Sequence, residues 1–167
     1  MNRRGWLLGA LVALSPAVSQ AAALMLVDGV VGPSKTAGYA GWFNLEAYNW
    51  SIDRSKTPEP HTFNVVLVVS AAAATLIQAS ASGALPKKIV VDQLESVDGG
   101  FLLNGRLTCE EPAIRASATA GDPDDRARLN LKIQCGRLAW EYFDYNSTSK
   151  ALVASGKGSW NFKTNTP

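Results

Sequence analysis

The stretch ARLNLKIQCGRLAWEYFDY, residues 127–145, decides the fold class. Apolar and polar residues alternate in its first half, and Gly136 separates that half from a second one that is rich in aromatic residues. A two-residue period places successive side chains on opposite faces of a strand. The stretch therefore predicts two consecutive β-strands, 127–135 and 137–145, each with one buried face.

The same pattern continues through most of the chain. β-branched and aromatic residues form short runs between Gly, Pro, Asn and Asp, which are typical of turns. The predicted strands are 24–31, 40–50, 61–69, 86–95, 100–110, 112–119, 127–135, 137–145 and 150–163. Eight or nine such strands predict a mainly β domain, either an antiparallel β-barrel or a two-sheet sandwich, over residues 24–167.

One segment, SAAAATLIQASASG at 70–83, has the composition of a helix instead. Ser70 is a suitable N-cap and Gly83 a suitable C-cap, and Pro86 prevents any continuation. We expect one short α-helix that covers an end of the barrel. The side chains expected to face the barrel are those of Leu76, Ile77, Ala73 and Ala81.

The first residues have the composition of an export signal. Arg3 and Arg4 precede an apolar run of about ten residues, and small residues follow. A membrane-spanning helix needs about twenty apolar residues, so no span is expected in the mature protein. We predict a signal peptide at 1–21, with cleavage after Ala21 or after Ala23, and an exported protein that is periplasmic or secreted.

Removing this segment leaves a neutral chain. The whole sequence has 16 Lys and Arg against 14 Asp and Glu, and Arg3 and Arg4 account for the difference. A neutral domain without a basic run gives no reason to expect nucleic acid as a partner.

Cys109 and Cys135 are the two cysteines of the sequence. If strand 100–110 paired with strand 127–135 around a turn near Asp122, the two thiols would face each other on the apolar side. An exported protein could then form a cross-strand disulfide. The alternative is that the two cysteines are small buried apolar residues in register.

The sequence offers little for catalysis or metal binding. His61 is the one histidine and follows Pro58 and Pro60, and no G-x-S-x-G motif accompanies it. Two cysteines and one histidine lack zinc-finger spacing, and the acidic turn 121–125 lacks the glycine and distal glutamate of an EF-hand. We expect no catalytic residues, no cofactor and no metal.

Five motifs in order resemble the Hcp family, the hemolysin-coregulated tube proteins of bacterial type VI secretion. They are VDGVVGPS at 27–34, GWFNL at 41–45 with YNWS at 48–51, ASASG at 79–83 followed by Pro86, the strand pair at 131–142, and GSWN at 158–161. Each motif alone is weak, but their order covers nearly all of residues 24–163.

The resemblance implies a β-barrel with one helix that assembles with copies of itself into hexameric rings. It also implies stacking of rings into a tube, effector proteins as cargo, and contact with spike proteins of the secretion system. The family's ring-stacking loop corresponds to SIDRSKTPEP at 51–60, which looks several residues shorter here. The candidate stacking residues in this loop are Ser51, Asp53, Arg54, Lys56 and Glu59.

The export signal departs from this family, whose tube-building members assemble in the cytoplasm. A second hypothesis therefore stays open: a monomeric, exported binding module or adhesin that keeps the barrel but has lost assembly. Exposed apolar strand edges would favour rings, and charged or proline-blocked edges would favour a monomer.

Overall fold

The computed structural model describes residues 22–51, 62–84, 86–97, 100–119, 126–146, 148–149 and 151–167. The predicted signal peptide and the turn at 121–125 lie outside the described residues. The described part contains nine strands and one helix. In chain order they are β1 (Ala22–Val27), β2 (Phe43–Trp50), β3 (Thr62–Val68), α1 (Ala71–Ser82), β4 (Lys88–Val97), β5 (Gly100–Glu110), β6 (Ala113–Thr119), β7 (Arg128–Gln134), β8 (Arg137–Asn146) and β9 (Ala151–Asn161).

The strands form one antiparallel sheet in the order β6-β7-β3-β2-β1-β4-β5-β8-β9. The sheet is rolled, because residues from both of its halves pack into one hydrophobic core. The prediction of a mainly β fold with one short helix is confirmed.

The predicted hairpin between strands 100–110 and 127–135 is wrong. β5 pairs with β4 and β8, whereas β7 pairs with β3 and β6. The two strands share a residue parity because both face the same core, and parity does not reveal which strands are neighbours.

The first strand is also shorter than predicted at its far end. β1 begins at Ala22 and ends at Val27, where Asp28 and Gly29 form a tight turn that brings Val30 back to bridge Val27. Gly29 has a φ of 79°, a left-handed conformation that glycine adopts without steric cost.

The core lies on the inner face of the rolled sheet. Alternate residues of the strands are fully buried there, and each large one contributes roughly 1.5–3 kcal/mol through removal of its surface from water. The free energy gained by burying several such residues exceeds the differences in β-propensity between residue types. The buried face therefore fixes the register of the strands. Fully buried members include Met25, Phe63, Val65, Ile89, Leu129, Leu131 and Ile133.

The helix begins and ends where the sequence predicted. The Ser70 hydroxyl accepts a hydrogen bond from the Ala73 backbone N–H at 3.2 Å, and Gly83 adopts a φ of 70° at the C-cap. Ala73 and Leu76 are buried in the core, as expected. Ile77 and Ala81 are exposed, so the face that packs against the barrel is narrower than predicted.

Candidate functional site

The loop that joins β1 to β2 folds into a small hairpin over the sheet. The Gly32 N–H donates to the Gly41 carbonyl at 2.6 Å, and the Ser34 N–H donates to the Trp42 carbonyl at 2.8 Å. Gly32 lies so close to Trp42 and Phe43 that a Cβ at this position would overlap their backbone. Two of the sequence motifs, VDGVVGPS and GWFNL, are thus paired with each other in space.

This hairpin carries Tyr39 to a buried carboxylate on the outer face of β4. Asp92 is 0% exposed and accepts two hydrogen bonds of 2.7 Å from the Arg106 guanidinium on neighbouring β5. Burial raises the pKa of Tyr39, and the charge of Asp92 and a hydrogen bond to it raise this pKa further. The hydrogen bond to Asp92 raises the pKa of Arg106.

Asp92, Arg106 and Tyr39, which we call the Asp92 cluster, have a structural role. Leu24, Val90 and Leu94 are buried on the same outer side, although their parity is opposite to that of the core residues Met25 and Val91. The sheet therefore has a second, outer apolar layer at β1 and β4, and the ion pair lies within it. Sequence analysis did not single out Asp92, Arg106 or Tyr39, since pairing of β4 with β5 is needed to bring the first two together.

Aromatic side chains of β2 and β8 pack together on the inner face of the sheet. The rings of Trp50 and Trp140 stack with centroids 5.9 Å apart, and the Tyr48 hydroxyl donates to the Gln93 side-chain oxygen at 2.6 Å. Burial raises the pKa of Tyr48, with a smaller contribution from Tyr142. Both tryptophans pack against the core.

The predicted chemistry residues are placed as follows. Within the described residues, no three His, Cys, Asp or Glu side chains come together as a metal site. His61 lies outside the described residues, as do Asp53, Arg54, Lys56 and Glu59 of the candidate stacking loop. Ser51 of that loop is described and is exposed. None of the helices in the described part is both long and apolar enough to span a membrane.

Cys109 and Cys135 are joined in a disulfide, with their Cα atoms 5.3 Å apart. The bond does not cross a strand pair. Cys109 is near the end of β5, and Cys135 follows β7 in the connection to β8.

Exposed apolar side chains gather at one end of the sheet. β5 and β8 pair from Glu110–Arg137 to Gly105–Tyr142, and both continue beyond that point. β8 continues with β9 as an arm, which we define as residues 143–146 and 151–154. β4 and β5 continue as a neighbouring tip, residues 95–97 and 100–102. Six of the nine large exposed apolar residues of the described part lie on the arm, the tip or the arm's base: Val97, Phe101, Tyr142, Tyr145, Leu152 and Val153.

Such clustering is unusual for a surface that only faces water. Single exposed apolar residues are normal, whereas a grouped set favours an interaction surface. Tyr145 is paired with Leu152 on one face of the arm, at 47% and 39% exposure, and Val153 lies on the other face at 49%. The Tyr145–Leu152 face of the arm is thus apolar, whereas Val153 lies opposite Asp144 on the other face.

Comparison with solved structures gives a consistent result for nearly the whole chain. The crystal structure of Hcp1 from Salmonella typhimurium has a TM-score of 0.72 and 15% identity, over 87% of this chain and 96% of that chain. A structure described as a type VI secretion system effector from Yersinia pestis has a TM-score of 0.68 and 18% identity, over 83% and 98%. The chain has the Hcp fold.

Solved structures with lower TM-scores also show the Hcp fold. The secreted protein Hcp3 from Pseudomonas aeruginosa matches with a TM-score of 0.59 and 13% identity, over 86% of this chain and 98% of that chain. No family model and no curated protein matches the sequence. The resemblance carried by the five motifs is therefore confirmed in three dimensions for the Hcp fold.

Proposed function

We propose that this protein is a structural subunit related to the type VI secretion tube protein, and that it assembles with copies of itself into hexameric rings. The Hcp fold over more than four-fifths of the chain carries this proposal. The apolar arm and tip support it, because they provide a surface that a partner subunit would cover. The role is structural and needs no cofactor.

The proposal includes an exported location. Cleavage after Ala21 would keep β1 whole, whereas cleavage after Ala23 would remove Ala22 and Ala23, which pair with Leu94 and Gln93 of β4. We therefore favour Ala22 as the mature N-terminus. Intact-mass measurement of protein recovered from the periplasm and the medium would test this, and a retained Met1 would rule out processing.

Effector proteins as cargo and spike proteins as partners belong to the same proposal. The candidate stacking loop, with Ser51, Asp53, Arg54, Lys56 and Glu59, is the part on which tube formation would depend. We propose that rings form first through the barrel and that stacking depends on this loop.

Size-exclusion chromatography with light scattering on residues 22–167 tests the assembly. We expect a ring-sized species whose share rises with protein concentration. Electron microscopy of the same fractions would distinguish single rings from tubes. A strictly monomeric species at high concentration would contradict the proposal and favour the exported binding module instead.

A further inference from the structure

Two short crossovers run side by side over the rolled sheet. Residues 110–113 lead from β5 to β6, and residues 134–137 lead from β7 to β8. Each crossover connects strands that have five other strands between them in the sheet order. Because β5 neighbours β8 and β6 neighbours β7, both crossovers must span the same gap. We call these two crossovers the seam.

The seam is tightly packed at its middle. The Gly136 N–H donates to the carbonyls of Glu110 at 3.0 Å and Glu111 at 3.3 Å. A Cβ on Gly136 would come within 3.1 Å of the Glu111 Cβ, so there is no room for a larger residue without movement. Glu111 itself has a φ of 50°, a left-handed conformation that is costly for a residue with a side chain.

Backbone hydrogen bonds from the Glu111 N–H to the Lys87 carbonyl and from the Phe162 N–H to the Gly136 carbonyl also hold the seam, but its ion pairs are weak. Lys163 pairs with Glu111, and Arg137 pairs with Glu110 at 3.8 Å, but all four side chains are about half exposed or more. Exposed ion pairs of this kind contribute between zero and about 1 kcal/mol each. Within the described residues, the edge strands β6 and β9 share no ladder that would close the sheet by backbone hydrogen bonds.

The disulfide lies at this seam. It ties Cys109, the residue just before the first crossover, to Cys135 in the second crossover. We propose that this bond is an oxidation-dependent closure of the barrel, which fixes the β6–β7 pair and the helix on β6 against the β5–β8 half of the sheet. The proposal does not depend on whether the protein assembles into rings.

The helix is coupled to the seam through β6. The Ser80 hydroxyl donates to the Ile114 carbonyl at 3.0 Å and accepts from the Ala116 N–H at 3.1 Å. Any loosening of β6 removes both partners of Ser80. We therefore expect β6, β7 and α1 to respond together when the disulfide is absent.

The bond forms by thiol–disulfide exchange with a disulfide-bearing oxidant of the compartment that receives the chain. One cysteine thiolate attacks the oxidant's disulfide, which gives a mixed disulfide and releases one oxidant thiolate. The second cysteine thiolate then displaces the other oxidant sulfur. The two cysteines lose two protons and two electrons, and the oxidant is reduced to a dithiol. Since Cys109 and Cys135 are 1% and 5% exposed, the oxidant must reach them before the barrel closes.

The test compares residues 22–167 in two forms, one exported to an oxidising periplasm and one produced in a reducing cytosol and kept reduced. Both forms have the same side chains, so the bond is the only difference. Thiol titration under denaturing conditions should find no free thiol in the exported form and both thiols in the cytosolic form. Hydrogen exchange measured by mass spectrometry then compares the native forms.

We expect peptides from β6, β7 and α1 to exchange at least about tenfold faster in the reduced form, because the bond no longer restricts local opening. Peptides from β1, β4 and β5 should keep their protection. A double variant, Cys109→Ala with Cys135→Ala, should resemble the reduced form and show no response to oxidant.

Two results would overturn the proposal that the disulfide closes the barrel. Free thiols in the exported form would show that the bond does not form in that compartment. Equal exchange in both forms, or an increase of the same size in every strand, would show that the bond does not act at the seam.

Discussion

At the scale of single residues, the buried carboxylate on the outer face of β4 depends most strongly on one partner. Asp92 is fully buried, while its partner Arg106 keeps 37% of its side chain exposed. A buried charge that loses its partner cannot return to water, whereas a half-exposed one can. Loss of Arg106 would leave the Asp92 charge buried without a partner, so stability should be more sensitive to substitution of Arg106 than of Asp92.

Asp92→Asn should lower the free energy of unfolding by about 2 kcal/mol, because it removes the carboxylate that accepts both Arg106 hydrogen bonds. Denaturant unfolding followed by fluorescence measures the change. The matched control is Glu46→Gln, which breaks the exposed Arg128–Glu46 pair of the same 2.7 Å length and should cost less than about 1 kcal/mol. Equal losses in both variants would contradict the buried role of Asp92.

Tyr39 gives the protein a specific response to alkaline pH. Its pKa in the folded protein is raised above the usual 10.0, first by burial and then by Asp92. Below pH 10.0 the phenol is neutral in both states, so its contribution to stability is fully present. As pH rises further, the unfolded chain ionises first and stability falls until the folded pKa is passed.

Unfolding curves between neutral pH and alkaline pH should therefore show a stability loss above pH 10.0 that is smaller in Tyr39→Phe than in the wild type. Part of the loss should remain in that variant, because burial also raises the pKa of Tyr48. A Tyr39→Phe curve parallel to that of the wild type through this range would show that Tyr39 does not titrate differently on folding.

At the scale of elements, the hairpin over the sheet depends on one close approach of backbone to backbone. Gly32→Ala would place a methyl group against the backbone of Trp42 and Phe43, and backbone cannot move aside as a flexible side chain can. We expect a loss of roughly 1–3 kcal/mol in unfolding free energy, the usual cost of overpacking. Thermal and denaturant unfolding would measure it.

Gly100→Ala is the control for this prediction. Gly100 has ordinary backbone geometry, and a Cβ there would meet nothing within 4 Å. Its substitution should change stability by less than about 1 kcal/mol. A Gly32→Ala protein as stable as this control would mean that the hairpin can shift without cost.

The elements also show what the sequence could and could not predict. The prediction of the helix ends was accurate because Ser70 and Gly83 act locally, through a hydrogen bond and a backbone angle within a few residues. The strand bounds were close because alternation and turn residues are also local. The predicted end of β1 was too late because Val30 and Val31, which follow the Asp28–Gly29 turn, are apolar and β-branched like strand residues.

At the scale of the whole molecule, strand pairing is the property that the sequence left undetermined. Cys109 and Cys135 meet, but through two crossovers over a rolled sheet and not through the predicted hairpin. Alternation records which face of a strand is buried, and the eight strands β1 to β8 all contribute residues to the same core. The resemblance to the Hcp family provided the overall fold, since the order of five motifs reflects the chain's path.

The apolar arm could not be predicted from the sequence for the same reason. Tyr145, Leu152 and Val153 look like ordinary strand residues, and only the end of β5–β8 pairing at Gly105 and Tyr142 leaves them exposed. Their exposure is a property of how far each strand extends beyond its neighbour. A candidate assembly surface of this kind is thus visible only after the register is known.

The arm provides the last prediction, which concerns assembly. Tyr145→Lys with Leu152→Lys places two charges on one face of the arm, where burial against a neighbouring subunit would carry a large desolvation cost. We expect the ring-sized species seen by light scattering to decrease at least about tenfold, with little change in the unfolding of the monomer. The control variant, Asn44→Lys with Thr75→Lys, adds the same charge at exposed positions on β2 and α1 and should assemble normally. If the control variant lost assembly equally, net charge and not the arm would be responsible; if the arm variant assembled like the wild type, the neighbouring subunit would have to bind elsewhere on the barrel.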